Sequence, residues 1–171
     1  RINGKTTQLK GVTPDIILPD SYQLLDIGEK EQQYALPWDE TTRANYFTWK
    51  NPLDLEILRE HSEARVSKNQ DFNLINKNAK RLKNDSEQSV FSLKLSTYQS
   101  YLKKRQKEAE KFQHLFKEPT GLVLEALRSD QVVFKTDTAK SERTNRMIED
   151  LGKDFYLDEA MNVMTELISL K

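Results

Sequence analysis

Apolar side chains recur at helical spacing through most of the chain beyond residue 52, and this periodicity limits what the chain can fold into. Leu53 and Ile57 begin one such series, and Phe72, Ile75 and Ala79 continue it, so that one face of a long helix would be apolar. The segments with this spacing are residues 52–83, 97–116, 144–151 and 158–171. We therefore predict a mainly α fold, with a helical domain of three to five helices preceded by short β-strands.

Residues with capping ability mark where the predicted helices begin. Asn51 is a favourable N-cap, and Pro52 suits the first helical position because it has no amide hydrogen to leave unpaired. Ser96 and Asp158 are predicted to cap the second long helix and the last helix. Gly152 is predicted to end the helix before the last one.

Residues 1–19 have the composition of short β-strands that are separated by turns. Glycines and prolines divide this stretch into runs of β-favouring residues. Two or three such strands are not stable alone, and the rest of the chain supplies no sheet for them. We therefore expect residues 1–19 to be the edge of a sheet outside this sequence, in keeping with a first residue that is not Met. Another short strand is expected at residues 132–134, within a polar loop over residues 129–142.

Aromatic residues are concentrated in residues 20–51, which otherwise resemble irregular chain. Pro37 keeps the residue before it out of the helical region and so favours an extended backbone here. A segment of this kind can lie across another surface and be anchored by its aromatic side chains. The candidate interaction residues are Tyr34, Trp38, Tyr46, Phe47 and Trp49.

Composition excludes several classes of protein. Charged residues make up 32% of the chain and hydrophobic residues 36%, which favours long, half-exposed helices over a thick core. There is no Cys, so disulfides and thiolate metal sites are excluded, and no run approaches the length of a membrane span. Net charge is zero, although residues 77–117 carry 11 basic and 4 acidic side chains. We interpret that excess as a solvated helix face rather than a nucleic-acid site.

No arrangement of residues predicts catalysis or a cofactor. A serine nucleophile needs a base that activates it, and the chain has no G-x-S-x-G turn. Ser100 and Lys103 have the spacing of a Ser-x-x-Lys pair but lie in the middle of a predicted helix. His61 and His114 are far apart in the sequence. Glu60 and Glu63 form only a weak cluster with His61, because no second His lies at metal-binding spacing. We therefore predict no enzyme activity, no metal and no cofactor for this chain.

Four short motifs resemble one family. They are R-I-N-G at residues 1–4, T-Q-L-K-G-V-T-P-D-I at residues 7–16, I-G-E at residues 27–29 and A-L-P-W-D at residues 35–39. In this order they resemble the end of the protease core, and the segment that follows it, in the tail-specific branch of the C-terminal processing peptidases. The resemblance implies that residues 1–19 are the last strands of that core, residues 20–51 a strap or linker, and residues 52–171 a C-terminal helical domain.

The family also implies an activity of the whole enzyme, to which this chain would contribute without being catalytic itself. Such enzymes are periplasmic, have a PDZ domain beside the core, and use a Ser–Lys dyad to cleave proteins with non-polar C-termini. The dyad lies upstream of the G-V-T-P-D motif, and no residue here matches it. The helices would shape substrate access or dock a partner such as an adaptor. Two alternatives remain open, namely a stand-alone helical interaction module and a nucleic-acid-binding domain using Lys103, Lys104 and Arg105.

Overall fold

The structure, a computed structural model, describes residues 2–47, 50, 53–112 and 115–170. Within these residues it is mainly α, as predicted, with six α-helices against the three to five expected. The helices are α1 (Leu55–Lys68), α2 (Gln70–Glu87), α3 (Leu95–Glu110), α4 (Arg128–Phe134), α5 (Thr138–Leu151) and α6 (Phe155–Ser169), and a single 3-10 turn spans Glu29–Glu31. No described helix has the length and apolar content that a membrane crossing requires.

The chain divides into two compact units, Arg1–Phe91 and Ser92–Lys171. The first unit contains the extended N-terminal segments with α1 and α2, and the second contains α3 to α6. The boundaries predicted at residues 19 and 51 remain predictions.

A single residue divides the first predicted helix in two. Asn69 has an extended backbone, with ψ 129°, between α1 and α2. Its side-chain oxygen accepts hydrogen bonds from the amides of Asp71 and Phe72, and its own amide binds the carbonyl of Arg65. Asn therefore ends one helix and caps the next, because its short polar side chain competes for backbone partners. Asp54 caps the start of α1, and the predicted start at Asn51 and Pro52 lies outside the described residues.

The core of the first unit lies on α1 and α2. Its buried apolar residues are Leu58, Phe72, Ile75 and Ala79. Residues 15–23 lie against the same two helices through three polar contacts. Arg59 donates to the carbonyl of Asp15 at 3.2 Å, Gln23 donates to Asn76 at 2.8 Å, and Asn78 donates to Ser21 at 3.3 Å.

Residues 2–19 form turns and extended chain rather than strands. No strand is present in the part of the chain that the structure describes, and one isolated antiparallel bridge joins Lys5 to Glu40. Positive φ angles at Gly4, Leu9 and Gly11 turn the backbone repeatedly. A strand needs a neighbour for its alternate backbone groups, and among the described residues only a few of residues 2–19 have such a neighbour.

The second unit corrects three predictions. Residues 129–142, expected to be loop with a strand at residues 132–134, contain α4 and the start of α5. Asp137 makes this helix possible, because its side chain caps α5 by accepting from the amide of Lys140 at 2.9 Å. Asp154 caps α6 instead of Asp158. Likewise α3 begins at Leu95, one residue before the predicted cap Ser96.

Aromatic stacking forms the centre of the second unit. Phe155 is buried, and its ring lies 4.7 Å from the rings of both Phe116 and Tyr156. Thr120 connects the chain after Phe116 to the end of α5 by two hydrogen bonds. Its amide and its hydroxyl both donate to the carbonyl of Gly152. As predicted, α5 ends at Gly152.

Candidate functional site

Two distant segments of the first unit lie side by side, and we call them the clasp: residues 2–6 and 39–44. Three backbone hydrogen bonds join them in antiparallel order. The amide of Thr6 donates to Asp39 at 3.1 Å, that of Thr41 to Gly4 at 2.8 Å, and that of Ala44 to Ile2 at 3.0 Å. The clasp therefore fixes the position of residues 39–44 relative to the N-terminal segment.

Gly4 makes this close approach possible. It is buried and has φ +80°, a conformation that side chains other than glycine rarely adopt. A Cβ atom at this position would collide with the carbonyl oxygen of Thr41. Thr6 is also buried, at 7% exposure, and its amide and hydroxyl both bind neighbouring backbone. From the sequence alone, Gly4 looked like a simple break between β-favouring runs.

The clasp places two of the predicted aromatic residues in one open groove of about 790 Å³. Trp38 and Tyr46 line it together with Ile2, Lys5 and Val12. Trp38 comes immediately before the clasp residue Asp39, and Tyr46 follows the last clasp residue by two, so the antiparallel pairing holds both beside residues 2–13. The groove is thus a consequence of the clasp.

A cation from the chain itself lies on each aromatic ring of the groove. The Lys10 ammonium is 3.8 Å from the centre of the Trp38 ring. The Arg43 guanidinium is 4.6 Å from the centre of the Tyr46 ring, and it also donates to the Tyr46 hydroxyl at 2.8 Å. These cation–π contacts fix the rings and give the groove a positive lining. Sequence reasoning missed both cations. Lys10 is distant in sequence from Trp38, and no sequence pattern distinguishes Arg43 near Tyr46.

The other predicted interaction residues lie elsewhere. Phe47 is fully exposed, at 103%, and Tyr34 is 88% exposed, and neither lines the groove. Trp49 lies outside the described residues. The structure therefore brings together Trp38 and Tyr46, and the role of all these residues in binding remains a prediction.

In the described part of the chain, the titratable side chains whose pKa is clearly shifted lie outside the groove. No three His, Asp or Glu side chains there converge as metal ligands. The clearest shifts belong to a pair at the end of α5. Lys153, two residues beyond the helix, donates to Glu149 at 2.7 Å, which lowers the pKa of Glu149 and raises that of Lys153. An ion pair at the protein surface, such as this one at a helix end, is a structural contact of small energy. The side chains that line the groove include aromatic, aliphatic and ammonium groups.

Comparison with known proteins supports the family suggested by the sequence motifs. A family model described as the C-terminal domain of tail specific protease (DUF3340) matches residues 22–169. The tail-specific protease of Haemophilus influenzae is 36% identical over 84 residues. That alignment covers 47% of this chain and 12% of the relative, so the chain corresponds to a small part of the relative's length.

Proposed function

This chain belongs to the family of C-terminal domains of tail-specific proteases, and from that premise we propose that it is a non-catalytic helical part of such an enzyme. In this proposal residues 2–19 complete the sheet of the protease core. The helices then limit the access of substrate to the core or dock a partner beside it. The parent protein is a serine-type endopeptidase in the periplasm, with its Ser–Lys dyad outside this chain.

The single observation that carries the attachment to a core is the exposure of apolar side chains in residues 12–18. Val12 is 83% exposed and Ile17 is 69% exposed, and both lie outside the helices. Burial of an aliphatic side chain of this size contributes about 2 kcal/mol, so exposed pairs of this kind favour association with another surface. A neighbouring strand of the core would cover these side chains and pair with the backbone that carries them.

Two observations support a non-catalytic role. The hydroxyl of Ser100, the serine with a lysine three residues later, donates to the carbonyl of Ser96 within α3 at 2.9 Å. It is directed along its own helix rather than toward a general base. Ser62, the most deeply buried serine among the described residues, is 1% exposed and so lies out of reach of a substrate.

The partners in this proposal follow from the groove and from the family. The core and PDZ domain of the parent would adjoin residues 2–19. The groove, with Trp38, Tyr46 and the Lys5 and Lys10 ammonium groups, suits a chain with apolar side chains and a negative charge. A substrate protein with a non-polar C-terminus fits that chemistry, and an adaptor protein could use the exposed Phe47. Neither a nucleic acid nor a cofactor has a part in this proposal.

A second candidate function is a stand-alone interaction module. Its support is the clasp, which orders residues 2–6 by contacts within the chain itself through Asp39, Thr41 and Ala44. A module that needs no core would keep this pairing in every context. In contrast, a chain that completes a core sheet would rearrange or share it.

A protease assay separates the two candidates. The substrate is an unfolded reporter with an apolar C-terminus, and its matched control ends in two Asp residues. The samples are this chain, the parent protein, and the parent ended just before the position of Asp20. We expect this chain to be inert, and the shortened parent to cleave both reporters with reduced discrimination. If the shortened parent discriminates as well as the intact one, the stand-alone module is favoured. Cleavage by this chain alone would overturn the non-catalytic role.

A further inference from the structure

α3 has an apolar stripe that remains exposed. None of its residues is buried, whereas α1, α2 and α6 each bury two or more. Along the stripe, Leu95 is 68% exposed, Tyr98 40% and Leu102 43%. An amphipathic helix gains most of its stability from packing its apolar face, so this stripe calls for a partner surface.

The spacing of the stripe indicates the shape of that partner. Leu95, Tyr98, Leu102 and Arg105 follow one another at intervals of three, four and three residues, and Ala109 continues the series after four more. This is the 3.5-residue repeat of two helices that pack along a common seam. Arg105 fits such a seam through its aliphatic stem, while its guanidinium lies 5.8 Å from the centre of the Tyr101 ring.

The basic residues of α3 argue against a lipid surface. Lys103, Lys104 and Lys107 are exposed and lie on the side of the helix opposite the stripe. A helix that rests on an anionic membrane has its cations flanking the apolar face, where they reach the headgroups. Here the cations would point away from the bilayer, so another helix is the better partner.

We propose that the exposed stripe of α3 pairs with α3 of a second copy of this chain, as a short antiparallel coiled coil. In that arrangement Tyr98 faces Leu102 of the other copy, and Leu95 faces the stem of Arg105. Lys94, just before the first seam residue, then lies beside Glu108 of the other copy, and the twofold symmetry repeats this contact. A parallel pair would place Gln99 beside Lys94 instead, so the charges select the antiparallel direction.

The pairing is weak because the seam is short. Four residues of each copy form the central layers. The surface area that they bury is well below the roughly 800 Å² per partner of a standard stable interface. We expect a dissociation constant on the order of 10–100 μM, with dimer that disappears on dilution.

Cross-linking at one chosen position tests the geometry. Because the chain has no Cys, a single thiol can be placed at will. Gln99→Cys lies at the edge of the seam, and Ser100→Cys, its neighbour, lies on the opposite face as the matched control. With a short bismaleimide near the dissociation constant, we expect Gln99→Cys to give at least about tenfold more covalent dimer, because pairing raises the local thiol concentration. Equal yields from the two variants would overturn the proposal.

Charge exchange tests the partner and direction independently. Lys94→Glu and Glu108→Lys should each weaken self-association in sedimentation velocity by about fivefold, since each brings like charges together at two symmetric contacts. The double variant should recover the affinity of the unmodified chain, and circular dichroism checks that α3 stays helical in all three. A double variant no stronger than the single ones would contradict the pairing. So would a chain that stays monomeric at millimolar concentration, which would leave the stripe to the rest of a protease.

Discussion

Apart from the short α4, the two units contain helices of similar length, but they differ in how much of their apolar surface they cover. In Arg1–Phe91 four apolar residues are buried, Leu58, Phe72, Ile75 and Ala79, whereas in Ser92–Lys171 only Phe155 is, among the described residues. Both units have apolar residues at helical spacing. The difference shows that helical periodicity supplies apolar faces, and that a core forms only where another element covers them.

The first unit supplies such a cover at the corner between α1 and α2. Asn69 turns the chain between them, and residues 15–23 lie against both. In the second unit, α6 buries Phe155 but leaves Met161, Met164 and Ile168 about half or more exposed. These three residues follow one another at helical spacing, so the uncovered surface is a continuous stripe.

The largest expected effect tests the core of the first unit. Phe72→Ala removes a ring that is 1% exposed, and we expect it to lower the free energy of unfolding of this unit by about 4 kcal/mol. Phe47→Ala is the same change at a fully exposed side chain and should cost less than about 0.5 kcal/mol. Urea denaturation, followed by hydrogen exchange in α1 and α2, measures both. Equal losses would mean that the α1–α2 corner is not the core.

Phe155→Ala is the corresponding change in the second unit. It removes the central ring of the stack with Phe116 and Tyr156, and we expect a loss of about 3 kcal/mol. Hydrogen exchange should accelerate in α5 and α6 and stay unchanged in α1 and α2. Met164→Ala, at a side chain 51% exposed, serves as the control. Faster exchange in both units would show that they unfold together, and the comparison would then fail.

A smaller effect is expected at the clasp. Gly4→Ala combines an unfavourable φ with a collision against the carbonyl oxygen of Thr41, and should cost about 2 kcal/mol of local stability. Gly11→Ala has a similar φ, +62°, but open space around it, so its cost should be about 1 kcal/mol. The exchange rates of the Thr6 and Thr41 amides report on the clasp. If Gly11→Ala exposes them as strongly as Gly4→Ala does, close packing at Gly4 is not the reason.

The smallest effect concerns the Glu149–Lys153 pair at the end of α5. The hydrogen bond from Lys153 lowers the pKa of Glu149, so the contribution of the pair is complete above the ordinary pKa of Glu, about 4.3, and is lost as the pH falls through the lowered value. The pKa of Lys153 is raised by the same contact, so the contribution is also lost as the pH rises through that raised value.

A titration of the Glu149 side chain by NMR checks this pair. Lys153→Gln should return the pKa of Glu149 toward its ordinary value. Arg146→Gln, which removes the partner of the looser Glu142 contact at 3.8 Å on the same helix, should leave it unchanged. An unaltered titration in Lys153→Gln would exclude the hydrogen bond as the cause of the shift.

Sequence reasoning located most helices and misjudged their limits. The periodicity of residues 52–83 identified a helical stretch, but the cap at Asn69 divided it, and only the competition between side chain and backbone decides that outcome. Residues 129–142 looked like loop because they are polar. An exposed helix can be polar as well, provided that a cap such as Asp137 starts it.

The candidate site was predictable only in part. Aromatic composition pointed to Trp38 and Tyr46, and the structure places both in one groove. Aromatic composition gave no indication of Lys10, which lies 28 positions before Trp38 in the sequence and yet contacts the Trp38 ring. Pairing across such a separation depends on the path of the whole intervening chain, which no local pattern records.

The mainly helical class, the apolar faces and the family to which the chain belongs can all be inferred from the amino-acid sequence alone. Each of these depends on residues that are close in sequence, through periodicity, capping or a short motif. The folded structure was needed to show that residues 2–6 pair with residues 39–44, and that Phe72 is buried while Leu95 is exposed. Burial and distant pairing depend on which surfaces meet once the entropy of closing long loops has been offset, and that balance belongs to the whole folded chain.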